Sequence, residues 1–276
     1  MRLFVVICMV SMISLTSCGS KTADNSKVVD DFQKEEDINS SEHSLAEGDM
    51  RFLCYNVRHC RGMDDKVSYD RIVNIIKELN PDFVALQELD SATTRTDGVN
   101  QVKELGDRLN MHSYFGGAIP YRGGKYGVGI LSKKPALNTY LYNLPGKEPR
   151  AVLIAEYDDF LILSTHLDLV EGNRAESAKI ITEKIKGLNK KAYLAGDFNE
   201  SNFASELFIE LKKEWTIVSP IKNTFSTNNP SKCIDFVVTY NSGGEYKVSK
   251  SNVVYDLPEI NVPISSDHFP LYIDFH

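Results

Sequence analysis

The chain has 276 residues, with 31 Lys+Arg against 38 Asp+Glu, a formal net charge of -7, 42% hydrophobic and 10% aromatic residues. Those figures exclude a disordered chain, a low-complexity array and a multi-span membrane protein. Residues 1–49 hold 4 basic and 9 acidic groups, leaving 27 against 29 for residues 50–276, and this near-neutral body argues against tight, sequence-blind binding of nucleic acid.

In chain order, Arg2 is followed by an apolar stretch and then by Leu15-Thr16-Ser17-Cys18-Gly19. A basic start, an apolar core too short to cross a bilayer and small residues before a cut predict a secretory signal over residues 1–17. The Leu15-Thr16-Ser17-Cys18 run resembles the bacterial lipobox, which implies that Cys18 carries lipid and anchors the protein to a cell-envelope membrane, on its periplasmic face or at the cell surface. Residues 18–49 are polar and acidic, lack a sustained apolar period, and predict a flexible tether. Beyond it stand Cys54, Cys60 and Cys233, an odd number that does not make a disulfide framework. Cys54 and Cys233 lie in apolar runs and read as small buried hydrophobes.

Residues 51–57 read as a strand, and Ile72, Ile75, Ile76 and Leu79 recur at helical spacing until Asn80-Pro81 stops them. Residues 82–88 read as a second buried strand that ends in a carboxylate. After a short helix at 102–109, strands are expected at 126–132, Asn138–Leu144, 151–157 and Phe160–His166. Gly123-Gly124-Lys125-Tyr126-Gly127 lacks the spacing of a phosphate-binding P-loop and reads as a turn. Asn173-Arg174-Ala175-Glu176 has capping-box spacing and predicts a helix start there, with Ala178, Ile181, Ile185 and Leu188 as the apolar stripe. Further strands are expected at 191–196, 233–239 and 269–275. The pattern predicts one α+β domain over residues 50–276, built as two packed mixed sheets flanked by helices.

The apolar strands stop on polar residues: Asn56, Gln87-Glu88, His166-Leu167-Asp168, Asp197-Phe198-Asn199 and Asp267-His268. If these ends lie on one side of the sheets, they gather into a single pocket. Left unpaired in a core they would be costly.

Asn56, Gln87-Glu88, Gly196-Asp197-Phe198-Asn199, Ile234-Asp235-Phe236 and Ser266-Asp267-His268, in this order, resemble the endonuclease/exonuclease/phosphatase superfamily, with the resemblance running from Arg51 to the C-terminus. The superfamily includes deoxyribonuclease I, apurinic endonucleases, inositol-phosphate phosphatases and neutral sphingomyelinases. The resemblance implies a four-layer sandwich like that of deoxyribonuclease I and Mg²⁺ or Mn²⁺ held by Glu88, Asn56 and Asp267. It implies that Asp197 orients or deprotonates the attacking water, that Asn199 bonds transition-state oxygens, and that Asp235 fixes His268 as a donor to phosphate. His166 matches a histidine of the deoxyribonuclease I and sphingomyelinase-like branches, a leaving-group acid or phosphate ligand, and leans away from abasic-site repair. Arg58, His59, Arg150 and Arg174 are candidate substrate contacts, because an arginine fork suits phosphate. Glu148-Pro149-Arg150 resembles a segment of bacterial members, whereas Val128 and Ala151 depart from the Asn and Gly often found there.

The implied activity is Mg²⁺-dependent hydrolysis of a phosphodiester or phosphomonoester at the cell envelope. The substrate classes open are a nucleotide, a lipid head group, a sugar phosphate or nucleic acid. Two alternatives stand beside it: an extracellular or periplasmic nuclease, and a catalytically silent surface binding module of the same fold. No obligate protein partner is evident in the sequence.

Overall fold

The structure, a computed structural model, describes residues 43–276, so the expected signal, the Cys18 anchor and most of the expected tether lie outside the described residues. β1 (Met50–Asn56) buries Phe52, Leu53, Cys54 and Tyr55 in succession, as a central strand covered on both faces does. α1 (Tyr69–Leu79) ends where Asn80 turns left-handed at φ 46°, ahead of Pro81. β2 (Phe83–Ser91) runs on past Glu88, where the sequence predicts its end. Then come α2 (Gln101–Leu109), β3 (His112–Tyr121), β4 (Gly124–Ser132), β5 (Asn138–Leu144), β6 (Arg150–Glu156) and β7 (Phe160–His166). The chain continues through α3 (Glu171–Lys186), β8 (Lys191–Asp197), α4 (Glu206–Leu211), β9 (Trp215–Ile217), β10 (Asp235–Tyr240), β11 (Val248–Val253), α5 (Val262–Ser265) and β12 (Leu271–Phe275).

Two mixed six-stranded sheets result: β11, β12, β1, β2, β4, β3 in one and β5, β6, β7, β8, β10, β9 in the other. They face each other, with α1 and α2 packed outside the first and α3 and α4 outside the second. Each sheet contains one parallel pair, β1 with β2 and β7 with β8, connected over α1 and α3. A crossover helix lets both strands of such a pair end on the same side. Asn56 therefore stands opposite Gln87, and His166 opposite Asp197. β10 is antiparallel to β8 and starts with Asp235 opposite Asp197; β12 is antiparallel to β1, so Asp267-His268, which precede it, fall beside Asn56.

The other strand ends hold the aromatic core. Phe83, Tyr157, Phe160, Tyr193 and Phe275 meet with ring centroids 4.4 to 6.2 Å apart. Cys54 and Cys233 are free and buried, as expected for small apolar fillers, and Cys60 is free and buried as well. The turn at this place is the β3–β4 hairpin tip, but it is shorter than expected: Arg122 and Gly123 take positive φ, 44° and 86°, and β4 already starts at Gly124.

The expected capping box at Asn173 is not formed. α3 begins at Glu171, and the Asn173 amide instead donates to Asp168 Oδ2 at 2.8 Å. β3, β9 and β11, which the sequence does not predict, all lie at sheet edges.

Candidate active site

Glu88 reaches the site through a bulge. The pairing of β2 with β4 shifts register between Leu86 and Leu89, and Glu88 takes φ 60°. Such a conformation costs about 1–3 kcal/mol for a residue with a Cβ. The bulge turns Glu88 into the cavity, while Gln87 donates to Ser164 Oγ (3.3 Å) between the sheets. On the facing sheet, a Cβ at Gly196 would lie 2.1 Å from the Thr165 carbonyl oxygen, so glycine lets β8 close on β7 beside Asp197.

Four strand ends then meet around Asp197. Asn56 Nδ2 donates to Glu88 Oε1 and to Asp197 Oδ2, both at 3.1 Å, and lies 3.4 Å from His268 Nε2. His268 Nε2 is 3.6 Å from Asp197 Oδ2, and His268 Nδ1 is 2.9 Å from Asp235 Oδ2. The Thr224 hydroxyl donates to the same Asp235 oxygen, and the Phe225 ring packs 4.8 Å from the His268 ring. The Asn199 backbone N–H donates to Asp197 Oδ1 at 2.9 Å. Around these groups lies a cavity of about 480 Å³, lined also by Tyr126, Arg150, Leu169, Lys232 and Asp267.

The electrostatics separate the groups by role. Burial, and then the charge of Asp235, pushes the Asp197 carboxyl up from 3.8 to about 7. Burial opposes charge on His268, but Asp235, by its charge and its hydrogen bond, outweighs it and raises the imidazole from 6.5 to about 10. His166 moves the other way: burial, then the charges of Arg150 and His268, hold it well below 6.5. A base matched to neutral pH thus sits beside a charged imidazolium donor.

The raised His268 value carries a stability consequence in the metal-free protein. Its contribution is fully present below 6.5, the unfolded value, and is lost as pH rises through about 10. Asp235→Asn removes the charge that sustains it. The imidazole of the metal-free variant is expected to titrate below 6.5, read by NMR of the ring protons; a midpoint still far above 6.5 would remove Asp235 from this role.

The donor set fits a hard divalent cation. Glu88 is held above the usual carboxylate value by burial, with the charge of Asp267 adding to it, and it has no ion-pair partner among the described residues. Glu88 and Asp267 are oxygen ligands of the kind such an ion takes, although Asp267 also lies 3.7 Å from Arg58. The Asn56 side-chain oxygen accepts from the Arg58 N–H at 3.1 Å while Nδ2 faces Glu88, so it would join them through its remaining lone pair. Asp197, Asp235 and His268 also place ligand atoms within 4.8 Å of one another, but a charged imidazolium hydrogen-bonded to a carboxylate is a proton donor and a poor ligand. Glu88→Gln is accordingly expected to weaken Mg²⁺ binding about tenfold or more by calorimetry. Equal affinity in variant and wild type would move the ion elsewhere.

A family model described as the Endonuclease/Exonuclease/phosphatase family matches residues 53–268, which span all of these groups. The chain belongs to this family. Its members are hydrolases of phosphate esters, and the two-sheet architecture is theirs. A family structure from Bacteroides vulgatus is 21% identical, covers 83% of this chain and 99% of its own, and has a TM-score of 0.68. The mannosyl-6-phosphatase Bt3783 of Bacteroides thetaiotaomicron is 19% identical over 82% of this chain and 99% of its own, with a TM-score of 0.66. TDP2 of D. rerio, complexed with a single-strand DNA product, is 19% identical over 83% of this chain and all of its own (100%), with a TM-score of 0.65. No curated protein matches the chain.

Within this family frame, the structure brings together Asn56, Glu88, His166, Asp197, Asn199, Asp235, Asp267 and His268, and it re-sorts the basic candidates. Arg150 lines the cavity, pairs through Nη1 with Glu148 at 3.0 Å, and has a buried Nε without a hydrogen-bond partner. Arg58 and His59 line a neighbouring cavity of about 240 Å³ that shares Glu88, Tyr126, Glu148 and Asp267 with the first.

Arg174 is corrected from substrate contact to positioning residue. It is buried and is not among the residues that line the cavity, pairs with Glu200 at 2.5 Å, and donates to the Leu169 carbonyl at 2.7 Å, while its Nε, like that of Arg150, has no hydrogen-bond partner. His166 lines the cavity, with Nε2 3.5 Å from Asp197 Oδ2 and 2.9 Å from the Asn199 amide, which also donates to the Leu167 carbonyl at 3.0 Å. It accepts from Asn199 at Nε2 and orients that amide. Sequence reading misses Thr224, Phe225, Lys232 and Glu200, because they stand in irregular segments with no apolar period to mark them.

Proposed function

We propose that this chain is a Mg²⁺- or Mn²⁺-dependent phosphoesterase of the cell envelope, acting on a small phosphate ester. The observation that carries the reading is the meeting of Asn56, Glu88, Asp197 and His268 within hydrogen-bond reach in one cavity. Glu88 and Asp267, with Asn56, would hold a divalent cation, which would supply Lewis-acid neutralisation of phosphoryl charge. Asp197, deprotonated above about pH 7 in the metal-free site, takes the proton of the attacking water. Asn199 and Asn56 hold its two carboxylate oxygens in place. His268 donates from Nε2 to phosphoryl or leaving-group oxygen, with Nδ1 fixed on Asp235. Arg150 receives a further phosphate oxygen.

Substrate size follows from the cavity and the charge. A cavity of about 480 Å³ in a near-neutral body suits a nucleotide, sugar phosphate or lipid head group better than duplex DNA. Among similar folds, a mannosyl-6-phosphatase and a protein bound to a single-strand DNA product bracket this range. The envelope address follows from the Leu15-Thr16-Ser17-Cys18 run.

The test is a panel of phosphomonoesters, phosphodiesters, sphingomyelin, and single-stranded and duplex DNA, with and without Mg²⁺. Turnover of a small ester in Mg²⁺ alone is expected. Preference for DNA with a steep salt dependence would favour the nuclease, and inertness towards every ester would favour a silent binding module.

A further inference from the structure

Beyond the two cavities already described, a third of about 410 Å³ continues from the second, sharing His59, Arg61, Arg95 and Tyr121 with it and adding Arg122. The three form one path from Asp197 to a shelf carrying three arginines. We infer that this shelf binds a second, non-scissile phosphate, so that the substrate is a small ester bearing two separated phosphate groups. The inference rests on the phosphoesterase reading for the first phosphate and adds the second.

Four observations support the shelf. Arg95 is fixed in place: its Nε and Nη2 grip the fully buried Asp90 at 2.6 and 2.8 Å, and its guanidinium lies 4.5 Å over the Tyr121 ring. Nη1 is thereby presented without reorganisation. Among the described residues, Arg61 forms an ion pair with Asp65 at 2.9 Å, an exposed pair worth about 0–1 kcal/mol that an arriving dianion would displace. Arg122, at the hairpin tip, lies 5.5 Å over the Tyr121 ring and has no ion-pair partner among the described residues. The His59 side chain lines the path, and its Nδ1 is buried without a hydrogen-bond partner. In the tautomer with its proton on Nδ1, a phosphate oxygen would supply the missing acceptor.

The backbone is shaped for this exposure. Arg58, His59 and Cys60 take φ of 46°, 44° and 58° in succession, a left-handed turn without glycine. Each such residue costs about 1–3 kcal/mol, and strain of this kind concentrates at ligand sites. Gln101 Nε2 locks the turn by donating to the His59 carbonyl at 2.8 Å. The Asp65 carboxylate is the one acidic group lining the shelf, against Arg61, Arg95 and Arg122.

Binding tests the inference independently of turnover. Thymidine 3′,5′-bisphosphate and thymidine 5′-monophosphate are titrated calorimetrically into the full chain with Mg²⁺, and into Arg61→Gln/Arg122→Gln. The bisphosphate is expected to bind about tenfold or more tightly than the monophosphate, with the preference falling to about twofold or less in the variant. Equal affinities in the wild type, or a preference untouched in the variant, would overturn the shelf. Turnover of the corresponding p-nitrophenyl esters separates the two proposals: equal turnover of both sinks the shelf alone, whereas selective bisphosphate binding without turnover sinks the phosphoesterase reading and leaves the shelf standing.

Discussion

Asp197→Asn is expected to lower Mg²⁺-supported phosphate-ester hydrolysis about 10³-fold or more while leaving the fold intact. General-base catalysis contributes about 10²–10⁴-fold, and Asp197 is the carboxylate at which Asn56, Asn199 and His268 converge. The variant also has a signature separate from activity. In metal-free wild type the carboxyl ionises near 3.8 when unfolded and at about 7 when folded, so Asp197 binds its proton longer in the native state. Its effect is absent below pH 3.8 and destabilising above, growing until pH passes about 7. The variant should lose that decline in stability across the interval, measured by urea unfolding at successive pH values. Activity within tenfold of wild type would remove Asp197 as the base, and an unchanged pH slope would remove the burial argument.

Arg51→Leu is expected to cost about 3–5 kcal/mol, the largest stability loss that a single change outside the site should produce. The Arg51 guanidinium, 1% exposed, grips Asp274 with Nε at 2.7 Å and Nη2 at 2.8 Å, donates to the Leu79 carbonyl at 2.9 Å, and lies 4.0 Å over the Tyr272 ring. It ties β1, α1 and β12 together, and its removal leaves the Asp274 carboxylate buried without its counter-charge. In a domain of this size the melting point should fall by about 10 °C. Arg51→Leu/Asp274→Leu should recover most of the loss, because removing both charges leaves no buried ion behind. A single variant as stable as wild type, or a double variant worse than the single, would contradict this account.

What the sequence reveals follows from burial. The central strands are covered on both faces, so β1, β2, β7, β8 and β10 stand out as apolar runs, and polar residues at their ends are conspicuous. Once β1 with β2 and β7 with β8 are parallel, Asn56, Glu88, His166 and Asp197 must converge. Three of the edge strands, β3, β9 and β11, leave no such trace, although the edge strand β5 does. β3 holds Gly116, Gly117 and Pro120, tolerable where one side lacks a neighbour, and β11 is largely polar. The roles of Arg174 and His166 were not legible for a different reason. They depend on the carbonyls of residues 167 and 169, the Asn199 amide and the Glu200 carboxylate, and no spacing announces which way a backbone carbonyl points. The bulge at Glu88 is likewise invisible, since leucines flank it on both sides of the shift in register.

Metal dependence is the sharpest test of these strand ends as a phosphate-ester-cleaving centre. The most direct measurement is hydrolysis of bis(p-nitrophenyl) phosphate by the full chain after stripping with EDTA, followed by stepwise return of Mg²⁺. Turnover is predicted to fall to background in EDTA and to return in saturable fashion with Mg²⁺. Turnover that persists undiminished in EDTA, or that fails to appear at any Mg²⁺ or Mn²⁺ concentration, would contradict it.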